Sequence, residues 1–357
     1  MEEVDMIFNK SFWQGKNVLI TGHTGFKGCW LVIWLLRLGA NVSGIALSPN
    51  TSPNLFELTH VARNMESFIC DIRDEATLVK YVHKIKPDIV FHLAAQPLVL
   101  KGYEKPLETF AINIMGSANL LNSLRDLNNL QVVVMVTTDK VYFNNELSLP
   151  FREDDILGGH DPYSASKAAS ELVIASFRDA FLKDLGVSVA SARAGNVIGG
   201  GDWSENRLIP DAIRAWSAGN SLIIRNPKST RPWQHVLEPL SGYINLAQKL
   251  WQKPDLAGAY NFGPHTHEIV SVETIVKIAH STYGCGSVIL DDTSGNPHEA
   301  GVLALEIAKA RNLLDFKPKW LIDESVKRTI DWYKALHNGS NARTLCETEI
   351  AEYQVFS

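Results

Sequence analysis

Tyr163-Ser164-Ala165-Ser166-Lys167 sets a phenol and an ammonium four residues apart. On a helix, positions i and i+4 lie on one face, so the two groups project together. A free tyrosine has a pKa of about 10, and a neighbouring cation lowers it. Such a pair can take the proton of a hydroxyl while hydride leaves the same carbon. The spacing is short and common, and alone it fits an exposed helix pair equally well. A second group precedes it. Val136-Thr137-Thr138-Asp139-Lys140-Val141-Tyr142 ends an apolar strand, and open α/β sheets hold their ligands at the carboxyl ends of strands. Thr138 can hydrogen-bond the reacting hydroxyl. Asp139 can serve as an acid where a closed site raises its pKa, and Lys140 sets an amine beside it. The alternative for Asp139 and Lys140 is a solvated loop pair.

Hydride needs an acceptor, and the chain offers a place for one. Val18-Leu19-Ile20 leads into Thr21-Gly22-His23-Thr24-Gly25-Phe26-Lys27-Gly28 and then into the apolar run Cys29 to Leu36. Strand, glycine turn and buried helix open a doubly wound α/β domain. Gly22 allows the tight turn, Gly25 lets backbone approach a pyrophosphate, and Gly28 lets helix and strand pack closely. The free N–H groups at the helix start face the phosphates. The spacing is GxxGxxG rather than GxGxxG, a weak signal by itself.

Positioning these groups requires a sheet. Strands are expected at 17–21, 41–46, 67–71, 88–95, 131–138 and 187–194, with helices near 27–38, 74–85, 105–127 and 164–185. Right-handed crossovers then give the order 3-2-1-4-5-6. The expected fold is α/β, a doubly wound parallel sheet of the Rossmann type over 12–195. A smaller mixed α/β substrate lobe over 196–340 is interwoven with it. That lobe is expected to hold strands 222–225, 259–262 and 287–291 and helices 207–218, 236–251, 271–283 and 323–336. The cleft between lobes suits a small molecule. The polar tail after Leu336 is expected to fray or to dock on a neighbouring chain.

Composition narrows the partners. The 357 residues carry a formal net charge of -5, so no global basic field argues for nucleic acid. No apolar run approaches a membrane-spanning length, and the acidic stretch Met1 to Lys10 is not patterned as a signal peptide. The four cysteines (Cys29, Cys70, Cys285 and Cys346) have no metal-type spacing and read as reduced thiols of a cytoplasmic protein, with no metal expected.

Taken together, Gly22, Gly25 and Gly28, the pair Thr138-Asp139 and the pair Tyr163 and Lys167 resemble the extended short-chain dehydrogenases that modify nucleotide sugars. Within them the chain resembles the 4,6-dehydratases, whose signature follows Thr-Asp with a third catalytic residue. That residue is glutamate in the thymidine-diphosphate-glucose branch and Lys140 here. Four stretches are similar to the cytidine-diphosphate-glucose branch: 22–28, 138–142, Asn196-Val197-Ile198-Gly199-Gly200-Gly201-Asp202-Trp203 and Arg231-Pro232-Trp233-Gln234-His235-Val236. The resemblance runs from about 12 to 336.

It implies NAD as cofactor and a nucleotide sugar as substrate. Thr24, Phe26 and Lys27 would meet the pyrophosphate, with Phe26 and Lys27 offering backbone. Asp71 and Ile72 would flank the adenine. Leu93, Ala94 and Ala95 would line the cofactor, and Asn113 would support that loop. Asn196, Arg207 and Arg231 would hold the nucleotide sugar, and Gln96 would lie near the sugar or serve its loop. Paired guanidinium donors suit a diphosphate, although either arginine also reads as a surface ion pair.

Two departures stand out. Ala46-Leu47-Ser48-Pro49-Asn50-Thr51 has no acid for the adenosine ribose, so NAD over NADP rests on the resemblance. His23 and Lys27 stand where smaller or apolar residues are usual and are expected to alter cofactor affinity.

The implied reaction is an internal redox elimination that returns its cofactor unchanged. Lys140 would be the base at C5, which requires it neutral. Burial and Lys167 lower its pKa, Asp139 raises it, and desolvation is expected to win. Rival readings are a 4-epimerase, which needs no Asp139-Lys140 pair, a dehydratase of another nucleotide hexose, and a non-catalytic NAD(P)-binding sensor. Pairing into a homodimer or homotetramer is implied through the helices near 105–127 and 164–185. Leu120, Leu121, Leu124, Leu172, Val173 and Phe177 would supply the contact, or would pack within the chain.

Overall fold

The computed structural model describes residues 8–146, 149–291 and 301–355. Six parallel strands build the centre: β1 (Asn17–Thr21), β2 (Asn41–Ala46), β3 (Glu66–Ile69), β4 (Ile89–His92), β5 (Val132–Val136) and β6 (Ser188–Ala194). Their order is β3-β2-β1-β4-β5-β6, as the crossover rule requires, and a seventh strand extends the β6 edge. β4 and β5 are buried at every position, because helices cover both faces of a parallel sheet. One large apolar cluster fills one face and a smaller one the other.

The seventh strand is Gly258–Phe262, parallel to β6 in the register Tyr260 with Ala192. It was expected in the smaller lobe. The chain returns to the first sheet because β6 would otherwise leave an unpaired edge. Ser221–Arg225 and Ser287–Asp291 do pair with each other in a separate two-stranded sheet.

The expected helix 105–127 is broken. Pro106 starts a new helix at its first position, where its missing N–H is harmless. The chain then widens into a π turn at Ala111–Met115 before Gly116–Ser123. That extra residue turns Asn113 inward, a common use of such bulges at functional sites. The catalytic-motif helix runs Pro162–Phe177, with Asp161 capping it by accepting from Ser164 N at 2.9 Å.

The tail does not fray. Ala342–Val355 is a helix whose Cys346, Ile350 and Tyr353 are buried against the chain's own core. It packs on the helix Phe26–Leu38, which is buried from Gly28 through Leu35. A helix apolar all round needs cover on every side, and the tail supplies one side. Tyr353 meets Trp34 edge-on at 5.7 Å and donates to Glu238 Oε2 at 2.7 Å.

Candidate active site

The glycine turn is shaped by close approach. Gly22 has φ +78°, and a Cβ there would stand 2.7 Å from the Ala94 nitrogen. At Gly28 a Cβ would stand 2.1 Å from the Gly22 carbonyl oxygen. Gly25 differs: it caps the helix in extended backbone, is exposed, and a Cβ there would meet only the Gly22 oxygen, at 3.4 Å. The side left open by Gly25 is where a phosphate can approach the N-terminal amides. The cradle therefore fits a dinucleotide pyrophosphate.

Thr24 Oγ1 donates to the Leu47 carbonyl at 2.8 Å, tying the turn to the end of β2. His23 faces inward. Its ring fills the space above Gly44 and its Nε2 meets Ser67 Oγ at 2.7 Å. Burial pushes it down to about 4, so it is neutral. Lys27 offers more than backbone. Its ammonium is pushed down to about 8 by burial and by the charges of Arg207 and Lys167, against the pull of Asp139 and Asp202. Those neighbours place it on the reaction side of the turn.

Further along the cleft, Leu93 N donates to the Thr21 carbonyl at 3.0 Å and Ala94 N to Thr21 Oγ1 at 3.2 Å. Ala95 follows, and then Gln96 and Asn113 clamp one another. Gln96 N donates to Asn113 Oδ1 at 2.9 Å, while Asn113 Nδ2 donates to the Gln96 carbonyl and to Ser166 Oγ. Asn113 thus locks the cofactor-side loop to the catalytic-motif helix. The Gln96 amide is engaged by Leu98 N, the Leu98 carbonyl and Thr109 Oγ1. Its amide holds the loop. On the adenine side, Asp71 is bound by the Arg73 guanidinium, which keeps its carboxyl below the ordinary range. Ile72 packs its side chain on Gly116 and gives its carbonyl to Asn119, so it can offer a ligand only its backbone N–H.

At the carboxyl end of β5 the two motifs meet. Thr138, Asp139, Tyr163 and Lys167 are all buried. The Thr138 hydroxyl donates to Asp139 Oδ1 at 3.0 Å and is near enough to the Tyr163 phenol to act on it. Lys140 N donates back to Thr138 Oγ1 at 3.3 Å. Lys167 Nζ donates to the Val136 carbonyl at 3.1 Å. Burial raises the Asp139 carboxyl, against the pull of Lys140, Thr138, Arg231 and Lys27. Its Oδ2 is buried without a partner. A buried carboxyl that leans toward its neutral form can carry a proton to a leaving group.

The phenol departs from expectation. Burial pushes Tyr163 up to about 12, outweighing the pull of the Thr138 hydroxyl and the Arg207 charge. Lys167 is itself pushed down to about 8 by burial. Desolvation dominates because both groups left water to reach this site.

Arg231 is buried, donating to the carbonyls of Thr230 and Gly301 at 2.9 and 3.2 Å, and its charge acts on Asp139. Arg207 precedes the helix Leu208–Ser217, pairs with Asp202 at 3.1 Å, and acts on Tyr163 and Lys27. The Asn196 carbonyl accepts from Gln234 N at 3.0 Å. Lys27, Lys140, Lys167, Arg207 and Arg231 therefore surround Asp139 and Tyr163, a field suited to phosphate. Sequence reading missed Glu171 and Arg193, a buried pair at 2.9 Å beneath the site. The signal was an arginine inside a buried strand and an acid four residues after Lys167.

A doubly wound sheet with a Tyr/Lys helix laid against its catalytic strand end defines a Rossmann-type enzyme class. A family model described as GDP-mannose 4,6 dehydratase matches residues 19–329, and the chain belongs to that family. It is similar to the CDP-glucose 4,6-dehydratase of Salmonella typhimurium, with 46% identity over 353 residues, covering 97% of this chain and 98% of the relative. Among solved structures, the epimerase Mth375 of Methanothermobacter thermautotrophicus aligns with TM-score 0.81 at 24% identity, covering 94% of this chain and 98% of that one. A dTDP-glucose 4,6-dehydratase of Bacillus anthracis in complex with NAD aligns with TM-score 0.75 at 19% identity, covering 91% and 98%. The two solved structures speak for the fold.

Proposed function

We propose that this chain is a lyase that converts CDP-D-glucose to CDP-4-keto-6-deoxy-D-glucose and water with NAD held in its glycine cradle. One observation carries the reading: the Asp139 carboxyl, buried at the end of β5 with its Oδ2 unpartnered, lies near enough to the buried Tyr163 phenol for its charge to act on it. An oxidation needs only the phenol, whereas an elimination also needs an acid beside the same sugar. The Salmonella relative supports the cytidine sugar.

The chemistry supplied by the bound dinucleotide is a hydride store: the hydrogen lost from C4 is returned at C6. The chain's residues handle the protons. Tyr163 takes the 4-hydroxyl proton, with the Lys167 cation and the Thr138 hydroxyl stabilising the phenolate. The 4-ketone acidifies C5. Lys140, half-buried beside Asp139, is the base for that proton. Asp139 gives its proton to the departing 6-hydroxyl, the C6–O bond breaks and water leaves; Lys140 then returns a proton to C5 as C6 regains its hydrogen. Arg207 and Arg231 hold the diphosphate, with Asn196 on the sugar side.

The free thiols Cys29, Cys70, Cys285 and Cys346 fit a reducing compartment, and the reading places the enzyme in the cytoplasm. Among the described residues, no helix is long and apolar enough to cross a membrane. The enzyme pairs with a second copy through the outer face of the helix Pro162–Phe177, where Leu172 is 64% exposed, and of the adjoining run, where Leu107 and Met115 are exposed.

The test offers purified protein the cytidine, uridine, guanosine and thymidine diphosphate glucoses with NAD. The expected result is loss of one water from the cytidine compound alone, read by mass. An unchanged mass with inversion at C4 would make it an epimerase, and dehydration of another nucleotide would overturn the base assignment.

A further inference from the structure

We infer that Glu171 is a positioning residue for the Tyr163 and Lys167 pair, clamping the catalytic helix to the ends of β5 and β6 and supplying the counter-charge to the Lys167 ammonium. Tyr163, Lys167 and Glu171 follow one another at four-residue spacing, so they share a helix face. Glu171 is 5% exposed. Its Oε1 accepts from Thr137 Oγ1 at 2.5 Å and from Arg193 Nε at 3.0 Å. Its Oε2 accepts from Ser191 Oγ at 2.7 Å and from Arg193 Nη2 at 2.9 Å.

These partners are not scattered. Thr137 immediately precedes Thr138 and Asp139. Arg193 passes the clamp on, donating through Nη1 to the Tyr142 hydroxyl at 2.9 Å and to the Glu153 carbonyl at 2.8 Å. Tyr142 Oη in turn donates to Asn261 Oδ1 at 2.6 Å, on the seventh strand. The loop that carries Thr138, Asp139 and Lys140 is therefore gripped at both ends, by Glu171 through Thr137 and by Arg193 through Tyr142. Stability alone is a poor account of such a pair, because well-packed apolar residues serve a buried site as well or better. Orientation is what an apolar pair could not supply.

Lys167 faces four elements. On its own helix lies Glu171; on β4, His92; on the helix Phe26–Leu38, Lys27; on β5, the Val136 carbonyl. Burial pushes His92 down to about 3, so it is neutral, and Lys27 is of like charge. Glu171 is the carboxylate that acts against desolvation at Lys167.

The experiment compares the wild-type chain with Glu171→Asp, Glu171→Gln and Glu171→Gln/Arg193→Gln. The double variant removes both members of the Glu171–Arg193 pair, so neither is left buried without the other. Two readouts are taken. The Lys167 ammonium is titrated by NMR in protein made with isotope-labelled lysine, the signal assigned by its loss in Lys167→Met. The steady-state constants are measured across pH. Lys167 is expected to titrate about one pH unit lower in the double variant, with the alkaline limb of kcat moving with it. We expect kcat to fall about tenfold or more while KM changes little, and Glu171→Asp to keep most of the wild-type titration. Unchanged Lys167 titration in a folded double variant overturns the inference. So does a wild-type titration in the double variant when only the single variant unfolds. The kinetic arm rests on the proposed reaction, but the titration does not. A wild-type protein that fails to dehydrate any nucleotide glucose sinks the reaction and leaves the titration standing as the test.

Discussion

The Lys167 ammonium donates to the carbonyl of Val136 at 3.1 Å, binding the helix that carries Tyr163 to the strand that leads into Asp139. The positive charge at that nitrogen exists only while lysine holds its extra proton. Burial sets the ammonium near 8. Below that value the cation is present to stabilise a phenolate; above it the cation is lost. Activity should therefore fall as pH rises through about 8. Lys167→Met should lower kcat by about 10²–10⁴-fold and abolish that limb. A wild-type profile that stays flat two units beyond the lysine's value would show that Lys167 acts without its charge.

The glycine turn separates two kinds of defect. Gly28→Ala drives a methyl to 2.1 Å from a backbone oxygen, and backbone cannot yield cheaply. That variant should lose thermal stability together with its cofactor. Gly25→Ala meets only one atom at 3.4 Å and keeps ordinary φ and ψ. It should melt as the wild type does and still bind the dinucleotide at least tenfold more weakly, because the methyl occupies the phosphate approach. Calorimetry on both, with and without NAD, distinguishes the two. Equal loss of melting temperature would mean that the open side of Gly25 has no ligand role.

Glu238 is buried beneath the tail helix, accepting from Lys319 N, Trp320 N and the Tyr353 hydroxyl. Burial raises it from 4.5 to about 7. Between those values the folded protein keeps a proton that the unfolded chain has released. Stability contributed by this group is thus present below about 4.5 and lost as pH rises through 7. The full difference is on the order of 3 kcal/mol. Melting of the wild type between about pH 5 and pH 8 should show this decline, and Glu238→Gln should flatten it. Parallel curves would remove Glu238 as its source.

Assembly tests the part of the expected helical surface that stays exposed. Leu120, Leu121 and Leu124 are wholly buried in the chain's own core. Val173 and Phe177 also pack against that core. Leu172 is 64% exposed. Leu172→Glu should lower the mass in light scattering at micromolar concentration without unfolding the chain, whereas Leu120→Ala should cost about 2–5 kcal/mol of stability and leave the mass unchanged. A wild-type chain already monomeric would end the proposal of pairing.

Local pattern made the sheet legible. β1, β2, β4 and β5 are short apolar runs between turn signals, and a buried parallel strand reads that way. What failed was non-local. Gly258–Phe262 lies far along the chain from β6, and nothing near it tells which sheet it joins. The tail hid its stripe, Cys346, Ile350 and Tyr353, among charged residues. Its need was already visible elsewhere, since the helix after the glycine turn is apolar all round and requires a cover. At the site, residue types and spacing located Thr138, Asp139, Tyr163 and Lys167. The rise of the Tyr163 phenol was not legible, because desolvation depends on what closes over the ring. Gln96 followed the same logic: its amide was consumed by Leu98 and Thr109, partners that only the folded loop supplies.

In the proposed reaction, Lys140 serves the second half of the chemistry. It sits between Asp139, whose charge it opposes, and Val141, buried in the small cluster with Tyr142. As the C5 base it must take a proton in the ketone stage, after Tyr163 has acted and before Asp139 gives its proton away. Lys140→Ala should then still oxidise C4, which a deuterium label at C4 would report as a primary isotope effect. It should fail to wash solvent deuterium into C5. Turnover to the keto sugar should drop by about 10²–10⁴-fold, while Tyr163→Phe should stop both stages. If the Lys140→Ala protein exchanges C5 with solvent at the wild-type rate, the base lies elsewhere. Lys140 would then be left with an electrostatic part, holding the Asp139 carboxyl lower than burial alone would place it.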